Sequence, residues 1–106
     1  MIQRYKNARP RIEKAAFVAE SADIIGEVHA GEGASLWYNV SIRADIAPIY
    51  IGEGTSIQDG SVIHVGDDLP CRVGNYVTLG HGVILHACAV QDCCLIGMGA
   101  IILDGS

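Results

Sequence analysis

Three histidines, His64, His81 and His86, lie within a span of 23 residues. Neutral imidazole is a common zinc ligand, with nitrogen-to-metal bonds of about 2.0–2.1 Å, and three such ligands leave a fourth position open for water. A lone outward histidine is usually a solvated surface residue, so the chemistry depends on whether the fold gathers these three. Arg43, Asp45, Gln58 and Asp59 are polar groups near them in sequence. They read either as ordinary exposed side chains or as groups that pair subunits and orient ligands.

The element that must position them is a repeat. Aliphatic or small residues recur every six positions at Val18, Ile24, Ala30, Leu36 and Ile42, then at Ile51, Ile57 and Ile63, then at Val73, Leu79 and Leu85. After one deletion the series resumes at Val90, Ile96 and Ile102. Small or β-branched residues follow four places later, at Ala22, Ala34, Val40, Thr55, Ser61, Val77, Val83, Ala89 and Ala100. A period of six suits neither the 3.6-residue helix nor an uninterrupted alternating strand, but it suits a short strand followed by a corner. Gly52, Gly74, Gly80 and Gly97 stand in the second repeat position, where a corner demands unusual backbone geometry. Three hexapeptides close one triangular coil of about eighteen residues, and coils stack at about 4.8 Å. The expected fold is therefore all-β, a parallel β-helix forming one domain over residues 1–106, with a Pro- and Asp-containing outward loop at 66–72.

Stacking gives the histidines their places. Arg43, His64 and His86 each follow an anchor by one residue on the same face of successive coils and form one column. Asp59 and His81 follow their anchors by two on the preceding face and form a second. His64 and His86 can thus share one metal ion, while His81 points out around a corner and reaches such a pair only in a neighbouring copy, as the closed heterologous contacts of a cyclic trimer would repeat three times. His29 belongs to no column and reads as a surface residue.

Composition narrows the alternatives. Half of the 106 residues are hydrophobic but only 6% are aromatic, so the core must be aliphatic, and a net charge of −5 with five of seven basic residues in the first fourteen positions disfavours nucleic acid as a partner. No apolar run approaches the roughly 20 residues of a membrane span, and no apolar signal core follows the N-terminal charges, so a soluble, cytoplasmic protein is expected. Cys71, Cys88, Cys93 and Cys94 match neither a disulfide framework nor a paired Cys-x-x-Cys site and read as reduced. The series breaks off at Ser106 within a hexapeptide, which reads as truncation or as an end covered by another chain.

The stretches SLWYNVSIRAD (35–45), IQDGSVIH (57–64), LGHGVILH (79–86) and IGMGAIILDG (96–105) resemble the γ-class carbonic anhydrase-like family of hexapeptide-repeat proteins. The resemblance implies a left-handed β-helix, a homotrimer, and zinc, or iron or cobalt, held between subunits by His64, His81 and His86. It implies an inter-subunit ion pair between Arg43 and Asp59, Gln58 beside the metal-bound water, and Asp45 at a recurrent acidic position. Against the family pattern, Ala44 replaces the middle glycine of Arg-Gly-Asp, only Asp67 and Asp68 stand where the best enzymes carry a proton-shuttling acidic loop, and the family's further coils and C-terminal helix are expected beyond residue 106. The implied activity is hydration of carbon dioxide to bicarbonate by a metal-bound hydroxide. A hexapeptide acyltransferase, an acyl-coenzyme A thioesterase and a non-catalytic trimeric scaffold with a structural metal are the alternatives.

Overall fold

Three ladders of aliphatic side chains run the length of the molecule, and the register of the parallel strands builds them. In the computed structural model, which describes residues 1–106, Ile2, Ile24, Ile42, Ile63, Leu85 and Ile102 stack on the first face. Ala30, Ile51, Val73 and Val90 stack on the second, and Val18, Leu36, Ile57, Leu79 and Ile96 on the third. All but Ile2 are the six-residue anchors read from the sequence. The result is a parallel β-helix without helices, in which strands Asp23–Ala30 and Ser41–Ile51 turn the corner between the first two faces and merge them into an eight-stranded sheet. The third face is a separate five-stranded sheet.

Alternation within each short strand sends one side chain into the prism and its neighbours out. Ile24, Leu36, Ile57, Ile63, Leu79 and Leu85 are wholly buried, each contributing about 1.5–3 kcal/mol by leaving water. Corners are narrow, so Ala22, Ala34, Val40, Thr55, Ser61, Val77 and Val83 are also buried there. The two hydroxyls among them are satisfied between coils: Thr55 donates to the Gly74 carbonyl at 2.6 Å and accepts from the Val77 amide, and Ser61 bridges Gly80 and Val83 likewise.

Three expectations change. The second-position glycines are not needed for a left-handed φ, which occurs instead at corner residues such as Gly54, Gly60 and Gly82. At Gly52 the constraint is close approach, because a Cβ would fall 2.3 Å from the Gly74 carbonyl oxygen of the next coil. Ala89 faces solvent, since the deletion ahead of Val90 shifts the alternation and puts Cys88 inside. The outward loop is also shorter than 66–72: Gly66 and Leu69 close it with paired backbone hydrogen bonds, and strand Cys71–Val73 already follows.

Cys71 and Cys88 thereby extend a fourth inward ladder that begins with Val28 and Ile49. Their sulfurs lie 4.0 Å apart and both residues are buried. Burial pushes the Cys71 thiol up to about 12 and raises that of Cys88. These are core side chains that happen to be thiols.

Three outcomes follow. Ile63→Ala, in a central coil, should lower unfolding free energy by about 2–5 kcal/mol in a urea titration, and Ile102→Ala at the half-exposed end by much less. At pH 8 a thiol reagent should modify exposed Cys93 quickly in the native protein and leave Cys71 and Cys88 unmodified until denaturant is added. Below the ordinary thiol pKa the folded and unfolded chains both hold the Cys71 proton, and pH has no effect through it. Above about 9 the unfolded chain loses the proton first, so stability should fall progressively from there toward pH 12.

Candidate metal centre

His64 and His86 stand side by side because the strands that carry them, Val62–His64 and Ile84–His86, are paired residue for residue. Each follows a buried anchor, so each leaves the prism at the same corner and rises to a half-buried position. Nδ1 of His64 faces Nε2 of His86 at 3.1 Å. The outer nitrogens are engaged by carboxylates: His64 Nε2 lies 3.0 Å from Asp45 Oδ1, and His86 Nδ1 lies 2.5 Å from Asp104 Oδ1. Arg43, on the strand beneath, donates to the second oxygen of Asp45 at 2.7 Å.

The donor chemistry of this pair can be worked out. A neutral imidazole has one N–H, and a carboxylate is an acceptor only. If each ring gives its N–H to its carboxylate, the two facing nitrogens both present lone pairs, and two lone pairs at 3.1 Å repel unless a further proton joins them or a cation beside them binds both. Two nitrogens bound tetrahedrally to one zinc at about 2.0–2.1 Å would lie about 3.3 Å apart, close to the separation found. Carboxylates on the outer nitrogens are the usual companions of metal-bound histidines. The residues present therefore fit a shared metal ion.

Asp45 shows the local balance of forces. Desolvation raises its pKa, but the hydrogen bond with His64, the bond from the Ile46 amide and the charges of Arg43 and His64 together outweigh that and hold it below the ordinary value. It remains a carboxylate that keeps Arg43 and His64 in place. Ala44 between them is buried with an ordinary φ, so the missing glycine costs the turn nothing.

The other half of the expected site stands elsewhere on the surface. Asp59 and His81 share a column at the end of the third face, with Oδ1 of Asp59 3.6 Å from Nδ1 of His81 and the Gly82 amide bonded to the Asp59 carbonyl. Gln58 precedes them, half-buried, its amide bonded to Leu79. Within one chain no three ligand side chains converge on a single point, and His81 is not brought to His64 and His86. Inside its own chain Arg43 pairs with Asp45. His29 is corrected: it does stand in a column, stacked on Tyr50 with centroids 5.0 Å apart, and Arg72 caps the Tyr50 ring on the far side. Asp104 was not singled out from sequence. The signal was its place in the same motif as the last anchor, 18 residues after His86 and so about one coil above it.

The fold and the paired histidines define the class, a hexapeptide-repeat β-helix protein. No protein-family model matches the chain. It is 47% identical over 102 residues to mitochondrial gamma carbonic anhydrase 1 of Arabidopsis thaliana, covering 91% of this chain and 37% of that protein. It is 46% identical over 104 residues to a carbonic anhydrase of Geobacillus kaustophilus, covering 98% and 57%. The crystal structure of a hexapeptide transferase family protein from Anaplasma phagocytophilum superposes with a TM-score of 0.79 at 33% identity, covering 99% of this chain and 76% of the other. The chain belongs to the hexapeptide-repeat β-helix proteins, and its identity to the two carbonic anhydrases bears out the γ-class resemblance; it spans between about two-fifths and three-fifths of the length of those two.

Proposed function

We propose that this chain forms a homotrimer that hydrates carbon dioxide to bicarbonate at metal ions shared between protomers. The observation that carries the reading is the in-register His64 and His86 pair with a carboxylate on each outer nitrogen. His64 and His86 of one protomer and His81 of its neighbour would hold the ion, for which zinc suits an all-imidazole set and iron or cobalt are alternatives. When bound, zinc supplies Lewis acidity that brings the loss of a proton from water to about pH 7; carbonic anhydrase is itself the reference case for that magnitude.

The chain's own residues do the positioning. Arg43 fixes Asp45, Asp45 fixes the His64 ring, and Asp59 beside His81 orients the third ring. Gln58, on the same corner as His81, is the polar side chain available to orient the attacking water. Self-association is supported by an outward apolar strip, Val62, Ile84 and Ile101, running beside the histidine column on the first face. The names of the two carbonic anhydrase relatives support the reaction. The transferase name of the structural relative favours the acyltransferase reading, which requires coenzyme A dependence and indifference to chelators.

Mixing separates an interfacial site from one within a chain. His81→Ala and His86→Ala proteins should each bind almost no zinc alone. Co-refolded in equal amounts they should recover about a quarter of the wild-type metal content, since one interface orientation in four joins intact partners. No recovery would refute shared ligands, and a wild-type protein with metal but no carbon dioxide hydration in stopped flow would refute the reaction. With only exposed Asp67 and Asp68 in the turn after His64, proton release should be slow, so turnover should rise with imidazole buffer concentration at constant ionic strength.

A further inference from the structure

We propose that Asp104 is a positioning residue that holds His86 as its Nδ1–H tautomer and so aims the Nε2 lone pair at the metal position. The inference rests on reading His64 and His86 as metal ligands. It concerns a residue one coil beyond the three histidines.

An exposed carboxylate beside an imidazole is often an incidental surface contact worth little, and both partners here are partly exposed. Two observations set this contact apart. The approach is short, 2.5 Å, and it is made to the one nitrogen of His86 that does not face His64. A histidine ring free in water favours the Nε2–H form, which would place a hydrogen, not a lone pair, toward His64 Nδ1. An acceptor fixed at Nδ1 reverses the preference, and Asp104 Oδ1 stands in that position.

The backbone explains why Asp104 arrives there. Ile102 stacks on Leu85, so Leu103 occupies the place above His86 and points outward, 59% exposed. The chain then turns, with the Gly105 amide bonded to the Ala87 carbonyl and the Ala89 amide to the Ser106 carbonyl. The turn folds the Asp104 side chain back over the His86 ring. Asp45 does the corresponding work from the coil below, on the opposite outer nitrogen of the pair. The two imidazoles are thus held by two carboxylates from different coils, each fixing a different ring nitrogen as the free one.

The test uses Asp104→Ala and Asp104→Asn, the latter keeping an acceptor oxygen without the charge. Long-range proton–nitrogen correlation spectra of the metal-free protein at alkaline pH report the His86 tautomer directly. Wild type and Asp104→Asn should show Nδ1–H, and Asp104→Ala should pass largely to Nε2–H. Zinc affinity, measured by chelator competition, should fall about 10–100-fold in Asp104→Ala and less in Asp104→Asn. An Nε2–H tautomer in the wild type, or an unchanged tautomer in Asp104→Ala, would overturn the proposal. If wild type binds no zinc yet its Nδ1–H tautomer is lost in Asp104→Ala, the metal reading falls and the role of Asp104 in holding the ring stands.

Discussion

The parallel hydrogen-bonded register is the constraint on which everything else depends. Once Ile42 pairs with Ile63 and Ile63 with Leu85, the residue after each anchor is carried to the same place on the outside one strand spacing higher. No side chain needs to seek out His64 or His86. The backbone ladder delivers both, and the interior ladders keep the register from slipping, because a shift of one residue would turn every anchor into water.

That constraint also explains what could be read from the sequence. The anchors were legible because a six-residue beat has no other good explanation, and the columns followed by counting. The His64 and His86 pair and the Asp59 and His81 pair both stand where counting placed them. Counting failed where the beat was broken or where a side chain reached along the axis. Ala89 was misplaced because the deletion before Val90 reverses the alternation. Asp104 occupies no column of its own and comes to His86 by a turn, which periodicity does not encode. His29 was missed for a different reason: its partners are Tyr50 and Arg72, and a search confined to metal ligands does not look for stacked rings.

Charge is kept off the axis altogether. The only buried polar side chains are Thr55 and Ser61, both bonded to backbone of the next coil. The carboxylates, imidazoles and basic groups all stand on the outside, where they remain partly hydrated, and the core below them is aliphatic apart from the two neutral thiols Cys71 and Cys88. The scaffold can therefore vary its outer residues without disturbing its own packing, and proteins similar to this chain bear the names carbonic anhydrase and hexapeptide transferase alike.

The buried hydroxyls of Thr55 and Ser61 have a mechanical meaning. Each ties a corner to the coil above through a side chain in addition to the strand hydrogen bonds. A molecule pulled from its two ends would load coil against coil, and these two rivets sit between the coil that carries His64 and the coil that carries His86, so the same pull that parts the two imidazoles must also break them.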